Sequence, residues 1–402
     1  MPYKKLAEYF ALPNLKLINL KREFNSKFIH LYYEHHDVQN CPHCKSTNCK
    51  THQWRERIAK DAPFRNKVPV LHIRHRRMFC NECKKTFTES IPGIIKFGRV
   101  TERMQRAIHQ ACNDYSDLKK VRKNTSCGPK TIYTRHYREL ELKQRERKNN
   151  PWPKVIGIDE HAFIKNKKYG HREFVTILID YDNNRPKELV PGKNITQLIQ
   201  SLSHIKGRER VEIVNMDLST TFRSFTKEFF PNAKIVADHF HVVKLLHPRI
   251  NKLRKEILGD KRKHPLRKLL LKNGYNLEVF QRKAIERWLK DYPELEALYK
   301  AKEWVHKLYR CKGYKKASRC LTNLTDWLAL QKFKRLQSFR KTLMKWRKEI
   351  LMFFNFRTTN AKTEGFNNVA KSIIKRAYGY RNFNNYRLKV LNIRSNAHEC
   401  SA

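Results

Sequence analysis

The spacing of apolar residues changes period along the chain, and the changes divide it into regions. Short apolar runs predict strands at 154–159, 173–181 and 186–191, then a helix at 194–205, a strand at 211–217, a helix at 219–230 and a strand at 233–237. From about residue 240 the spacing is helical for more than a hundred residues, with Leu245, Leu246, Leu269, Leu270, Leu271, Ile285, Trp288, Leu289, Leu298, Trp304, Leu308, Trp327, Leu328 and Trp346 on the apolar positions. Upstream, Leu15, Leu17, Ile18, Leu20 and the run Phe28 to Tyr33 predict strands, and Val68 to Phe79 alternates apolar with basic residues, a strand with one basic face. Thr101 to Leu142 reads as helices. Met104, Ile108 and Ala111 form one stripe, Leu118 and Val121 a second, and after a break at Ser126-Cys127-Gly128-Pro129 come Ile132, Tyr133, Tyr137 and Leu140. Glu139 to Pro153 is charged and ends in Asn149-Asn150-Pro151-Trp152-Pro153, the composition of a linker.

These patterns predict six regions: 1–95, rich in strands; 96–145, helical; a linker at 146–153; a sheet with flanking helices at 154–240; an all-α insertion at 241–356; and a C-terminal return to the sheet domain at 357–402. Three successive strands, a helix, a strand, a helix and a strand give a mixed α/β sheet in the order of a ribonuclease H-like core. In that order the first and fourth strands lie side by side.

Ten cysteines bear on the first region. Cys41-Pro42-His43-Cys44 and Cys80-Asn81-Glu82-Cys83 are two C-x-x-C pairs separated by 35 residues, each able to form a knuckle that presents two thiolates to one tetrahedral zinc ion. With the surrounding strands they predict a zinc ribbon. His43, Cys49 and His52 are alternative ligands, and Cys112, Cys127, Cys311, Cys320 and Cys400 are isolated.

Charge narrows the partners. There are 87 Lys+Arg against 37 Asp+Glu, a formal net charge of +50, which suits a nucleic-acid backbone. No apolar run reaches the roughly 20 residues that span a bilayer, and Met1-Pro2-Tyr3-Lys4-Lys5 lacks the apolar core of a signal peptide, so the expected location is cytoplasmic and nucleoid-associated. The second helical stripe, the break and the basic helix after it match a helix-turn-helix that would present Lys130, Thr131, Thr134 and Arg135 to a major groove. Three helices packed as a structural linker carry the same pattern. Residues 251–350 alone hold 29 Lys+Arg against 10 Asp+Glu and four of the six tryptophans, which read as core rather than base-stacking platforms.

Three carboxylates carry the candidate chemistry. Asp159 and Asp217 close apolar strands 58 positions apart, and Asn360, Glu364 and Asn368 follow helical spacing on one face. Three converging carboxylates are the ligand set for one or two magnesium or manganese ions in phosphoryl transfer. A plain structural account would make Asp217 a helix N-cap and Glu364 a solvated helix residue. Glu160 competes with Asp159, but strand alternation turns it to the opposite face, and Asp180 and Asp182 read as turn carboxylates.

Gly157-Ile158-Asp159-Glu160, Asn215-Met216-Asp217, Ala237 to Lys244 and the block from Asn360 to Tyr386 resemble the DDE transposases of bacterial insertion sequences, specifically the ISL3 family. The resemblance covers nearly the whole chain, because that family also begins with a C-x-x-C zinc segment and a helix-turn-helix. It implies that Asp159, Asp217 and Glu364 are the catalytic triad on magnesium. It also implies an enzyme that binds the terminal inverted repeats of a mobile element, cleaves and transfers their strands, and works as a homodimer or higher oligomer on DNA. Asp238-x-x-His241 resembles a signature downstream of the second Asp in such groups, giving His241 a supporting role at the scissile phosphate or that of a buried, hydrogen-bonded histidine. Arg376, Tyr378 and Arg381 are candidates for DNA contact or for plain solvation. A zinc-containing transcription regulator and a nuclease that cuts without joining are the competing readings.

Overall fold

The computed structural model describes residues 12–22, 26–35, 40–94, 98–114, 117–147, 149–165, 172–259 and 265–393. Residues 1–11 and Cys400, both read above, lie outside them. The chain divides into two units, 1–143 and 144–402.

In the first unit, strands β1 (Leu15–Arg22), β2 (Phe28–His35), β3 (Cys49–Lys60), β4 (Val68–Cys80) and β5 (Thr86–Thr88) form one sheet in the order β1-β2-β4-β3, with β5 also on β4. β2 and β4 run parallel and the other neighbours antiparallel. Leu31, Tyr33, Ala59, Leu71 and Ile73 are buried against one another as its core. The basic face of β4 is partly engaged internally: Arg76 donates to the buried Glu89 at 2.6 and 2.9 Å, and Arg74 lies 4.4 Å from the Trp54 ring. β3 was not read from the sequence, because residues 50–56 are all exposed and show no apolar alternation.

Helices α1 (Glu102–Asp114), α2 (Leu118–Thr125) and α3 (Pro129–Arg147) follow. Asp117 caps α2 by accepting from Lys119 N, and Ser126 ends it in the left-handed region at φ 52°. On α3 the buried stripe is Ile132, His136 and Leu140, whereas Tyr133 is 50% exposed and stacks on Tyr137. The charged stretch from Glu139 to Arg147, read as the start of a linker, is the last two turns of α3.

The second unit holds a five-stranded sheet in the order β10-β9-β6-β7-β8, built from β6 (Val155–Lys165), β7 (Arg172–Asp180), β8 (Arg185–Pro191), β9 (Ile213–Met216) and β10 (Lys234–Ala237). β6, β9 and β10 are mutually parallel, and β7 and β8 continue antiparallel. Alternation sorts the side chains to two faces. Ile156, Ile158 and Leu178 pack with α4 (Ile195–Leu202) and α5 (Thr220–Phe229) through Leu198, Leu202, Phe222, Phe225 and Phe229. Val175, Ile177 and Ile179 pack on the other face with α14 (Ala361–Arg376) and α15 (Phe383–Leu391) through Phe366, Ala370, Tyr386 and Val390. A strand buried on both faces reads as a near-continuous apolar run, as Phe174 to Ile179 does.

Between β10 and α14 the described residues form eight α-helices: α6 (His239–Lys244), α7 (Leu246–Leu258), α8 (Pro265–Leu271), α9 (Val279–Leu289), α10 (Pro293–Arg310), α11 (Tyr314–Ala329), α12 (Lys334–Lys345) and α13 (Arg347–Phe356). They share one apolar core, which Val236 and Ala237 of β10 join. Trp346 is 2% exposed in that core, and Trp288, Trp304 and Trp327 pack against it. No described helix is long and apolar enough to cross a membrane.

Candidate functional site

The parallel strands β6, β9 and β10 place their carboxyl ends together. β9 pairs with β6 as far as Ile158↔Met216 and with β10 as far as Ala237↔Met216, so Asp159, Asp217 and Asp238 each come directly after the last parallel pair on their strands. Asp217 and Asp238 follow strand ends. Asp159 does not: β6 runs on to Lys165 against β7, and Asp159 sits mid-strand where its other neighbour has stopped. The sequence reading ended that strand at 159 because Glu160 to Lys165 alternates imperfectly.

Gly157, on the same face as Asp159, fixes how closely α14 approaches. A Cβ there would lie 1.8 Å from Thr363 Oγ1 and 2.7 Å from Tyr181 Cε1, so only glycine admits this contact. Tyr181 anchors the entry to α14, donating to Thr359 O at 2.9 Å and meeting Thr363 Oγ1 at 2.8 Å. Thr358 Oγ1 donates to Asn215 Oδ1 at 2.8 Å, and Asn360 N to Asp238 Oδ1 at 3.2 Å.

The docked helix lays two amides on two carboxylates. Asn360 Nδ2 donates to Asp217 Oδ1 at 3.1 Å, and Asn367 Nδ2 donates to Asp159 Oδ2 and, at 3.2 Å, to Glu160 O. Glu364 stands four residues after Asn360 and three before Asn367, on their helical face and half-buried. Asn368, which the sequence spacing placed on that face, is exposed, and Asn367 takes the inward position.

Burial and then repulsion from Asp217 push the Asp159 carboxyl up to about 6, against the pull of the Glu160 amide and Asn367. Asp217 meets a different neighbour. His241 Nδ1 lies 2.9 Å from Asp217 Oδ1 and 3.0 Å from Asp238 Oδ2. Burial opposes the imidazolium, but its hydrogen bonds to the two aspartates prevail and raise His241 to about 10. Asp238 is 4% exposed and caps α6 by accepting from His241 N. Asp217, Asp238 and His241 have ligand atoms close enough together for one cation; Asp159 and Glu364 lie outside that tight group. Asp217 is not the cap of α5, a position held by Ser219. Glu160 turns to the other face, where Lys193 Nζ reaches it at 3.2 Å. Asp180 accepts from Asn183 N, and Asp182 from Lys154 N.

Asp238, Asn360 and Asn367 are the site residues the sequence reading did not assign. Asp238 had a visible signal, since it closes an apolar strand as Asp159 and Asp217 do. Asn360 shares the helical face of Glu364 by its spacing, whereas Asn367 stands out only with α14 docked.

In the first unit, the knuckles converge. Cys41 Sγ is 3.6 Å from Cys83 Sγ and Cys44 Sγ is 3.5 Å from Cys80 Sγ, and all four sulfurs lie within 4.8 Å of one another. A tetrahedron of zinc–sulfur bonds of about 2.3 Å separates its sulfurs by about 3.8 Å, so these thiols need little movement to fit. The two knuckles repeat one backbone pattern. Each is followed by a lysine in the left-handed region, Lys45 at φ 64° and Lys84 at φ 56°, and each is closed by a bond from its first cysteine's N–H, Cys41 to Ser46 O at 2.9 Å and Cys80 to Lys85 O at 3.0 Å. The amides of Cys83 and Glu82 point at the Cys80 thiol and bring it down to about 6, favouring the thiolate that a metal binds. His43, Cys49 and His52 lie outside the four-sulfur group.

Of the expected DNA contacts, Lys130, Thr134, Arg376 and Arg381 are exposed and Thr131 and Arg135 half-buried. Tyr378 is 99% exposed at φ 53°.

Residues 156–390, more than half of the chain, match the ISL3 family described as "Transposase", and residues 37–83 match the zinc finger of the IS204, IS1001, IS1096 and IS1165 transposases. The chain belongs to the ISL3 family of transposases, a class of DNA-processing enzymes. It is 25% identical over 366 residues to the transposase for insertion sequence element IS1001 of Bordetella parapertussis, covering 88% of each chain. The four-cysteine group falls within a zinc-finger match, which supports a structural zinc there.

Proposed function

We propose that the protein binds the terminal inverted repeats of an insertion sequence and carries out metal-dependent strand cleavage and strand transfer, with Asp159, Asp217 and Glu364 as its catalytic carboxylates. The observation that carries this is the seating of α14: two amides of one helical face rest on Asp159 and Asp217, and Glu364 lies between them on that face. The strand order, with three parallel strands delivering carboxylates at one end of the sheet, supports the reading of a ribonuclease H-like core.

The donor set fits magnesium or manganese. It is all carboxylate oxygen, and Asp159 is pushed up by burial and then by repulsion from Asp217, a repulsion that a divalent cation relieves. Asp159, Asp217 and Glu364 would hold the ions. When bound, such ions stabilise the entering and leaving oxygens of a phosphodiester displacement. The chain's own part is orientation. Asn367 fixes Asp159, Asn360 fixes Asp217, and the imidazolium of His241 ties Asp217 to Asp238. In cleavage, water attacks a phosphodiester, forming one phosphorus–oxygen bond as another breaks, and leaves a 5′-phosphate and a 3′-hydroxyl; in transfer, that 3′-hydroxyl attacks a target phosphodiester, forming a new phosphorus–oxygen bond and releasing the target's own 3′-hydroxyl. The zinc ribbon and the helices α2 and α3, as a helix-turn-helix offering Lys130, Thr131, Thr134 and Arg135, would recognise the repeats. Arg376 and Arg381 would contact the DNA backbone beyond α14, and joining two ends calls for a homodimer or larger assembly.

The test is cleavage and joining of a duplex carrying the element's terminal repeat in Mg²⁺, for wild type, Asp217→Asn and Glu364→Gln. Both near-isosteric variants should bind the duplex and neither cut nor join it. Cutting at the wild-type rate by either variant would remove that carboxylate from the mechanism.

A further inference from the structure

Helix α12 of the insertion divides its basic residues by kind. Its arginines are tied inward: Arg335 pairs with Glu256 at 2.7 Å and Glu294 at 3.0 Å, and Arg340 Nε donates to Thr325 O at 3.0 Å. Its lysines face out. Lys334, Ser338, Lys341 and Lys345 follow at intervals of four, three and four, one face of a helix, opposite the buried Leu336, Phe339 and Leu343. Lys332 joins this row just before the helix; all four lysines are exposed, and they line a shallow groove with Gln337 and Thr342. The helix contains no Asp or Glu, and among the described residues none of the four lysines makes an ion pair.

One end of the row is tied to the helix that follows Asp217. Arg223, in the first turn of α5 and six residues after Asp217, donates to Lys345 O at 3.0 Å, pairs with Glu349 at 2.8 Å and lies 4.8 Å from the Trp346 ring. These contacts clamp the Lys345 end of α12 beside the segment that leaves Asp217. From Lys334 to Lys345 the helix rises about 16 Å, the span of about five phosphates of one DNA strand.

From this geometry we infer that the lysine face of α12 is a duplex-DNA backbone contact surface, which guides DNA along the insertion to the carboxylate edge. The inference rests on the proposed reading of that edge as the catalytic site. Charge complementarity selects the occupant. A membrane surface or an acidic protein would also meet positive charge, but the groove is lined by lysines, an amide and hydroxyls, with the exposed Leu330 and Met344 outside its lining, and a row of point charges among such groups suits a regularly spaced phosphate backbone.

The full-length protein carrying Lys334→Gln, Lys341→Gln and Lys345→Gln would be compared with wild type for affinity to a repeat-bearing duplex over a range of salt. A second triple variant, Lys283→Gln, Arg287→Gln and Lys290→Gln at exposed positions on and just after α9, controls for net charge. Loss of three phosphate contacts lowers the slope of log K against log salt by about 2.7, and the control should keep the wild-type slope. An unchanged slope in the α12 variant, or an equal fall in the control, overturns the proposal. Asp217→Asn run alongside separates the two readings: if it neither loses cutting nor changes binding while the α12 slope falls, the surface stands and the catalytic assignment fails.

Discussion

The two candidate metal centres are built on opposite plans. The four cysteines come as two local pairs, each folded by its own knuckle, and the β3–β4 pairing that sets Cys49 opposite Cys80 brings sulfurs of the two knuckles within about 3.6 Å. The carboxylates come from strands and a helix brought together over long separations, with Asn360 joined to Asp217 across 143 positions and Asn367 to Asp159 across 208. A closed set of four thiolates has no open position and stabilises the fold. The carboxylate edge is half open, holds like charges near each other and has to be fixed by neighbours. On the proposed reading, stability belongs to the first plan and chemistry to the second.

The largest expected effect breaks the first plan. Structural zinc is worth about 10–16 kcal/mol in zinc-finger peptides, so Cys44→Ser should release zinc and melt the strands around the knuckles. Zinc content and hydrogen exchange across 41–83 would record this. Asp159→Asn in the same assays should leave zinc content unchanged and the fold at least as stable, since it removes a buried charge that Asp217 repels. Zinc retained at wild-type stoichiometry in Cys44→Ser would mean that Cys49, His43 or His52 can complete the site.

This division also explains what the sequence made legible. C-x-x-C spacing is local, so the four ligands could be read directly. The strands β7 to β10 and the helices α4 and α5 could be placed within a few residues because their apolar runs are bounded by turn residues. β3 could not, since an exposed edge strand of charged residues carries no burial pattern. The end of β6 was missed because Glu160 to Lys165, which continue the strand against β7 beyond the point where β9 stops, alternate imperfectly. The helical period put Asn360 and Glu364 on one face, but a choice between Asn367 and Asn368 needed the docking of α14. The spacing of Asp238 and His241 does not reveal that one His241 nitrogen reaches both Asp217 and Asp238, a link that only the packed strand ends show.

A smaller effect tests whether the second plan depends on α14. Gly157→Ala would drive a methyl into Thr363 Oγ1 and the Tyr181 ring. Overpacking of this kind costs about 1–3 kcal/mol, and here the helix entry would have to lift, carrying Asn360 and Glu364 away from the aspartates. The second unit should stay folded with a lower Tm, while cleavage falls far more than stability does. Equal losses of both would make Gly157 a packing residue only.

The finest distinction lies between the two amides on α14. Loss of a residue that orients a metal ligand costs about 10–100-fold in metal affinity or activity. Asn367 is the only side chain among the described residues that donates to Asp159, and it is 1% exposed, so no water replaces it easily. Asp217 is held twice, by Asn360 and by His241. Asn367→Ala should therefore fall within that range, with the Mg²⁺ concentration for half-maximal cleavage rising. Asn360→Ala should lose less, and its loss should grow when His241→Ala is added. If Asn360→Ala proves the more damaging, the helix acts mainly by fixing Asp217, and the pairing of His241 with Asp217 gives way when the ions bind.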